Sequence, residues 1–321
     1  MQFVAIINSF NRCELLVRAV ESLVHALTSI GVEFAVVIFE AGSTDGSREW
    51  LKEFAAMHPD VRLEVILASE IDDSSFAGGV NRASQHALEI FPDAQFLFLY
   101  ETDNWLSNAE PVVGAIQLLR EQPDLAAVGF TVRLHSGQPS GWGEPFPTVP
   151  SFVLGPQLSQ RLKIPRSEIK TVRSGNLRWF RADVVYTSPL VIRASVWREL
   201  GGMDAQLFPF SDSDLDWAWK VRKAGYSCGV LLSNEVVHDN GGTKSSWSNM
   251  RMLKFHQARF RLLRKNRGSS VSLAIPALFL RHIAEYLVLT GMVLLGSRPS
   301  LSLKKRSILL RSVWSGYESI T

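Results

Sequence analysis

Short apolar runs at 3–7, 34–39, 62–67 and 95–100 alternate with stretches at 14–30, 47–57 and about 79–90 in which apolar residues recur every three or four positions. A compact apolar run suits a buried strand, and a three-to-four spacing suits a helix with one buried face. The alternation predicts an α/β chain, with parallel strands in one sheet covered by helices. Strand-then-helix patterning resumes at 188–200, and a helix over about 214–224 leads into a strand at 226–232. From 135 to about 170 the periodicity fades and Pro, Gly and Ser accumulate, which predicts a long loop or inserted flap, bounded here as 135–187. There is no internal repeat and no low-complexity tract.

Ligands of such sheets gather beyond the carboxyl ends of the strands. Four of these ends are polar: Asn8-Ser-Phe-Asn-Arg12, Glu40-Ala-Gly-Ser-Thr-Asp-Gly-Ser47, residues 68–79, and Glu101-Thr102-Asp103-Asn104. If the extended backbone persists past Tyr100, Glu101 and Asp103 leave the sheet on one side, because alternate residues of a strand share a face. Two hard oxygen donors suit Mg2+ or Mn2+, whose shell is completed by phosphate oxygens and water. A helix N-cap explains Asp103 as simply. Gly42 and Gly46 permit the unusual backbone angles of a tight turn. Asp214 and Asp216 sit where a helix begins and complement its dipole, while Trp217, Val221 and Ala224 at helical spacing read as core.

Composition is that of a globular protein, 46% hydrophobic and 20% charged over 321 residues. Cys13 and Cys228 lie far apart, near no zinc-like spacing, so neither a disulfide framework nor a structural metal is expected and a reducing cytoplasm fits. No basic segment precedes the apolar run at Phe3, so a secretory signal is not expected. The net charge of +3 hides an asymmetry: residues 251–321 hold thirteen Lys and Arg against Glu285 and Glu318, a net +11, which leaves −8 on the rest. Within that basic tail, 271–296 is long enough to cross a bilayer, but Pro276 and the group Arg281, His282 and Glu285 interrupt it, disfavouring a single span. For this segment three readings stand, an amphipathic or re-entrant segment at the cytoplasmic membrane face, helix packing in a homo-oligomer and a true span, and the basic charge also reads as a solvated face. The tail carries no recognised nucleic-acid module, and no nucleic-acid partner is expected.

The segment 36–47, a strand followed by Glu40-Ala-Gly-Ser-Thr-Asp-Gly-Ser47, resembles the strand and Asp-Asn-Gly-Ser-Thr-Asp-Gly-Ser turn of the family 2 glycosyltransferases. Within that family the chain resembles the bacterial rhamnosyl- and galactosyltransferases. Further elements follow in family order. Asn8 to Arg12 resembles the first nucleotide-binding loop, and Phe76-Ala-Gly-Gly-Val-Asn-Arg-Ala83 the Phe-Ala-Gly-Gly-x-Asn segment. Glu101-Thr102-Asp103 resembles the Asp-x-Asp metal motif, and Gly201-Gly-Met-Asp204 with Ser213-Asp-Leu-Asp216 the Gly-Gly-Phe-Asp and Glu-Asp-x-Asp pair. Finally, Val236-Val-His-Asp-Asn-Gly-Gly-Thr-Lys-Ser245 resembles the His-x-x-Gly-Gly-x-Ser element.

The resemblance implies a GT-A fold, Rossmann-like and mainly parallel, over 1–266, with 135–187 on the acceptor side and 267–321 a basic helical extension. It implies inverting transfer of a hexosyl or deoxyhexosyl group from a nucleotide diphosphate sugar to a hydroxyl of a saccharide or lipid-linked saccharide. By the same carry-over, Asn8, Asn11, Arg12, Glu40, Gly79, Asn81 and Thr102 bind the nucleotide sugar. Asp103, Glu101 and His238 hold Mg2+ or Mn2+. Asp214 is the base, and Asp212 is the competing carboxylate. The sequence departs from the pattern at Glu40, Glu101 and Ser213, which keeps a catalytically degenerate sugar-binding protein as an alternative. A nucleotidyltransferase of similar fold would want a glycine-rich phosphate loop, and Asn8 to Arg12 contains no glycine.

Overall fold

The computed structural model describes residues 3–165, 169–239 and 248–315. The first elements are β1 (Phe3–Ser9), α1 (Cys13–Thr28), β2 (Phe34–Glu40), α2 (Ser47–Met57), β3 (Arg62–Leu67), α3 (Phe76–Ile90) and β4 (Phe96–Leu99). They match the alternation of the sequence. Helix α1 forms because Leu16, Val20, Leu23 and Leu27 recur at helical spacing and are buried together. Helix α3 starts where the Ser75 hydroxyl accepts from the Gly78 N–H at 3.1 Å, an N-cap worth about 1 kcal/mol.

The middle of the chain forms β5 (Asn104–Leu106), α4 (Glu110–Glu121), β6 (Leu125–Phe130), β7 (Val132–Arg133), β8 (Pro139–Gly141), α5 (Val149–Leu162), β9 (Val172–Ser174) and β10 (Leu177–Ala182). It is followed by β11 (Leu190–Arg193), α6 (Ala194–Leu200), α7 (Ser213–Lys223), β12 (Ser227–Leu231) and β13 (Val236–His238). Among the described residues the large sheet runs β3-β2-β1-β4-β11-β6-β12-β10-β9. Strands β3, β2, β1 and β4 are parallel. Beyond them the sheet is mixed: β11 is antiparallel to both β4 and β6, while β12 returns parallel to β6. One face is covered by α1, α2 and α4 and the other by α3, α6 and α7, giving two cores on either side of the sheet.

The segment 135–187, expected as a loop or flap, is more regular than its Pro and Gly content suggests. Its β10 enters the large sheet beside β12, with Trp179 and Phe180 buried. A second, small sheet of order β5-β13-β7-β8 pairs Asn104 with His238.

The chain divides into two compact units, Met1–Glu144 with Glu168–Asn240, and Pro145–Ser167 with Gly241–Thr321. Both sheets lie in the first. The second is helical: α5, α8 (Asn249–Arg267), a 3-10 turn (Ser269–Ala274), α9 (Ile275–Leu294) and α10 (Leu301–Trp314). The division does not fall at residue 266, where the sequence suggested a boundary, because the apolar face of α8 joins the tail. Phe152, Phe260, Leu263, Val271, Leu278 and Val313 form one core. That unit also holds an ion cluster. Arg281 pairs with Glu285 at 3.0 Å and donates to the Phe152 carbonyl at 2.8 Å, Arg306 pairs with the same Glu285, and His282 is fully buried beside them. Burial raises the Glu285 carboxyl, but His282, Arg306 and Arg281 outweigh it and hold it at about 2. Glu285→Ala strands two guanidinium groups, so a destabilisation of about 2 kcal/mol or more in urea unfolding is expected. A value within 0.5 kcal/mol of wild type, about the range of a surface substitution, would show the cluster to be incidental.

Candidate active site

All of the predicted site residues belong to the sheet-bearing unit, at strand ends or at the start of α3 and α7. At the end of β1, the Asn8 carbonyl oxygen Oδ1 is buried and has no hydrogen-bond partner. Gly79 lies against it: a methyl group there would sit 2.4 Å from Asn8 Oδ1 and 2.8 Å from Phe39. Gly79 therefore lets α3 close on β1 and β2. Asn11 takes a left-handed backbone, φ +48°. Its N–H donates to Ser43 Oγ at 2.9 Å, and its Oδ1 accepts from the Thr44 N–H at 2.8 Å. Asn11 thus ties the loop after β1 to the loop after β2.

Glu40 closes its own turn. Its buried carboxylate accepts from the Ser43 N–H at 2.6 Å, the Gly42 N–H at 3.3 Å and Arg48 Nε at 2.6 Å. Burial raises its pKa, yet the Ser43 and Arg48 contacts prevail and hold it below the ordinary carboxylate value. Gly42 adopts φ +93°, a conformation that L side chains rarely take. The sequence offered no sign of Arg48 as the counter-ion, although eight positions put it on the first turn of the next helix.

Beyond β4 the extended backbone stops. Asn104 N–H donates to the Glu101 carbonyl at 3.1 Å, closing a turn over 101–104, so Glu101 and Asp103 do not continue the strand alternation expected of them. Glu101 Oε1 accepts from the Thr187 hydroxyl at 2.7 Å. Burial and the Asp103 charge raise its pKa. Asp103, 2% exposed, faces Arg12 Nη1 at 3.1 Å through Oδ2 and His238 Nε2 at 3.4 Å through Oδ1. The second distance is an ion-pair separation outside hydrogen-bond geometry, and Asp103 Oδ1 is left buried without a hydrogen-bond partner. Burial raises Asp103, but His238 and Arg12 hold it below its ordinary value. Burial likewise lowers His238, and Asp103 and Glu101 reverse this and raise it. The β5–β13 pairing, with the Asp239 N–H on the Asp103 carbonyl at 3.0 Å, brings the two side chains together. Thr102 is buried between the two carboxylates in sequence.

A carboxylate oxygen that accepts no hydrogen bond among the described residues and faces an imidazole nitrogen fits a divalent cation with two protein ligands and the rest from phosphate and water. Among the described residues no group of three or more His, Cys, Asp or Glu side chains gathers as a metal site. Glu101 Oε1 already accepts from Thr187, while Asp103 and His238 are the two members of the predicted trio that face each other. Asn240 to Ser245 of the His-x-x-Gly-Gly element lies outside the described residues. Both cysteines are free, as expected.

Asp214 stands in the first turn of α7, half-buried, with Oδ1 accepting from the Leu215 N–H at 2.9 Å. Burial, the Asp212 charge and the Glu101 charge raise it to about 7. Asp212 is the buried N-cap residue with φ +61°, a left-handed backbone that Asp tolerates better than most residues. Asn81, assigned by resemblance to the donor, pins the loop ahead of α7: its Nδ2 donates to the Met203 carbonyl and its Oδ1 accepts from the Met203 N–H, both at 2.9 Å. Gly202 is required there, since a methyl group would sit 2.6 Å from Asn81 Oδ1. Asn81→Ala is expected to destabilise by about 1–3 kcal/mol and to lower kcat more than it raises the donor KM. An unchanged kcat with a large KM increase would make Asn81 a donor contact.

Residues 2–259 match the family model described as Glycosyltransferase like family 2. Comparison with curated protein sequences gives no match. Among solved structures, the chain is similar to the mannosyltransferase PcManGT from Pyrobaculum calidifontis in complex with GDP-Man and Mn2+, with 14% identity, TM-score 0.58 and coverage of 100% of this chain and 88% of that one. It is similar to S. aureus TarS 1-349 at 15% identity, TM-score 0.51, covering 99% and 91%. A third match is GalNAc-T7 with UDP, GalNAc and Mn2+, at 12% identity and TM-score 0.55, covering 82% of this chain and 47% of that one. These likenesses show the fold, and the match of the family model over most of the sequence shows the family: the chain has the GT-A fold and belongs to glycosyltransferase-like family 2.

Proposed function

We propose that the chain transfers a sugar, hexosyl or deoxyhexosyl, from a nucleoside diphosphate sugar to a hydroxyl of a saccharide or lipid-linked saccharide, with inversion. The observation that carries this reading is Asp214, a half-buried carboxyl raised to about 7 in the same site as the Asp103–His238 pair. A general base works best when its pKa lies near the working pH, and burial beside a second carboxylate is how a protein moves an aspartate there. Support for the donor class comes from the fold relatives solved with GDP-Man and with UDP and GalNAc, both together with Mn2+.

In the proposed step the acceptor hydroxyl attacks the anomeric carbon as Asp214 takes its proton. The bond from that carbon to the diphosphate breaks, and the electron pair leaves with the nucleoside diphosphate. One displacement inverts the configuration. Asp103 and His238 would hold Mg2+ or Mn2+, which when bound neutralises charge on the departing diphosphate. Arg12, 40% exposed and paired with Asp103, adds a cation at the same strand end. Asn8 Oδ1 supplies a buried acceptor for a donor hydrogen at the end of β1. Glu40 shapes the turn that lines the nucleotide side, since its carboxylate already accepts three hydrogen bonds. Asp212 keeps Asp214 protonatable through its charge.

The pH dependence follows from the sign of the Asp214 shift. The base works ionised, so kcat/KM rises as pH climbs through about 7 and falls below it as the carboxyl protonates. A profile flat from about pH 6 to 8 contradicts Asp214 as the base.

A further inference from the structure

Helix α9 holds its ionisable groups within the unit and leaves large apolar groups exposed. Along α9, Arg281 and Glu285 are held by the Phe152 and Val153 carbonyls and by Arg306, and His282 Nδ1 lies 2.7 Å from Arg306. The two charges that interrupt the apolar run in the sequence, Arg281 and Glu285, are therefore paired within the unit, while His282 Nε2 is buried without a hydrogen bond among the described residues. Leu280, Leu287, Val288, Leu294 and Leu295 are exposed, the last two 82% and 85%. From Tyr286 to Ser297 the chain carries no charge and no residue is buried, and the hydroxyl of Thr290 donates back to the Tyr286 carbonyl at 2.9 Å.

We propose that α9 and α10 form a docking surface for a lipid bilayer bearing anionic headgroups, lying in its interface without crossing it. Exposed Leu287, Val288, Leu294 and Leu295 form an uncharged apolar band of the kind that an interfacial helix buries at the headgroup and acyl boundary, next to the exposed cations of α10. Charge complementarity selects the headgroup. The outward residues of α10 are Leu301, Lys304, Arg311 and Trp314, two cations between two large apolar groups, with exposed Arg298 just ahead. They belong to a tail of net charge +11, and basic residues beside an apolar face are attracted to anionic leaflets. Trp314, 76% exposed, has the amphipathic ring that favours the headgroup level. The stretch Ser269–Leu294, 26 residues of mean hydropathy 1.5, is long enough to span. Crossing would bring Arg281 and Glu285 to the hydrocarbon centre, a costly position for charge.

The inference does not depend on the transfer reaction, and its test reads binding alone. Full-length protein is sedimented with phosphatidylcholine vesicles and with phosphatidylcholine vesicles containing phosphatidylglycerol. Binding to the anionic vesicles is expected, weakened by salt. Lys304→Gln and Arg311→Gln should each reduce it about fivefold, the worth of one cation near a charged surface. Leu287→Ser with Val288→Ser should reduce it on either lipid. The replaced side chains lie on the surface of their helices, and circular dichroism checks that the fold is kept. Absence of binding to both vesicle types overturns the proposal. So does binding that resists alkaline carbonate, which marks a span, or a dimer in sedimentation that the Leu287 and Val288 substitutions dissolve without any vesicle binding.

Discussion

Asp214→Asn is expected to cut sugar transfer by about 10²–10⁴-fold, the usual contribution of a general base, and to make the folded protein more stable above pH 7. The second effect separates a base from a residue needed only for folding. Asp214 has its folded pKa raised from the ordinary 3.8 to about 7. Its favourable contribution is fully present below pH 4 or so and is lost as pH rises through about 7, because the ionised form is penalised by burial and by Asp212. Asparagine keeps the shape and the bond from the Leu215 N–H but carries no charge. Asp214 is only half-buried, so solvent offsets part of the penalty and the gain above pH 7 is on the order of 1–2 kcal/mol. Thermal unfolding at about pH 5 and pH 8 reads it: pH 5 lies between the two pKa values and shows part of the gain, and pH 8 shows it in full. Loss of stability at both values, together with loss of turnover, would mean that Asp214 holds the start of α7 in place.

Asp103→Ala is expected to reduce metal-dependent turnover by at least about 100-fold, since the carboxylate is one of two protein donors facing the candidate cation position. Calorimetric titration of Mn2+ should show a corresponding loss of affinity. Removing Asp103 leaves His238 without its carboxylate partner, while Arg12 can turn to water. Glu101→Gln is the internal control: its amide oxygen can still accept from Thr187, and Mn2+ affinity should change little. Equal losses for the two variants would return Glu101 to the ligand set.

The large features were legible because they are periodic. Four apolar runs gave the parallel strands β3, β2, β1 and β4, and the polar residues that follow them gave the strand ends where the site lies. Asp214 was singled out by resemblance to the family's acidic helix start, since its position alone reads equally as a complement to the helix dipole. What escaped the sequence is mostly what the fold joins across long separations. Thr187 meets Glu101 from 86 positions away, and Asn81 meets Met203 from 122. The pairing that sets His238 beside Asp103 rests on strands of three residues each, too short for any alternation to register. Strand β10 was hidden in a segment rich in Pro and Gly, although Trp179 and Phe180 flanked by arginines signalled a half-buried strand. The tail read as interrupted by charge because sequence order cannot say that Arg281, His282 and Glu285 share one inward side with Arg306.

The central claim is that this site turns over a nucleoside diphosphate sugar with Asp214 as its base. It is tested most directly by nucleoside diphosphate release from a donor panel, with Mn2+ or Mg2+ or chelator, for wild type and Asp214→Asn. Release from at least one donor is predicted, dependent on the cation, and lost in Asp214→Asn while that variant still binds the donor. Turnover retained by folded Asp214→Asn, or tight donor binding by wild type with no turnover under any of these conditions, would contradict it.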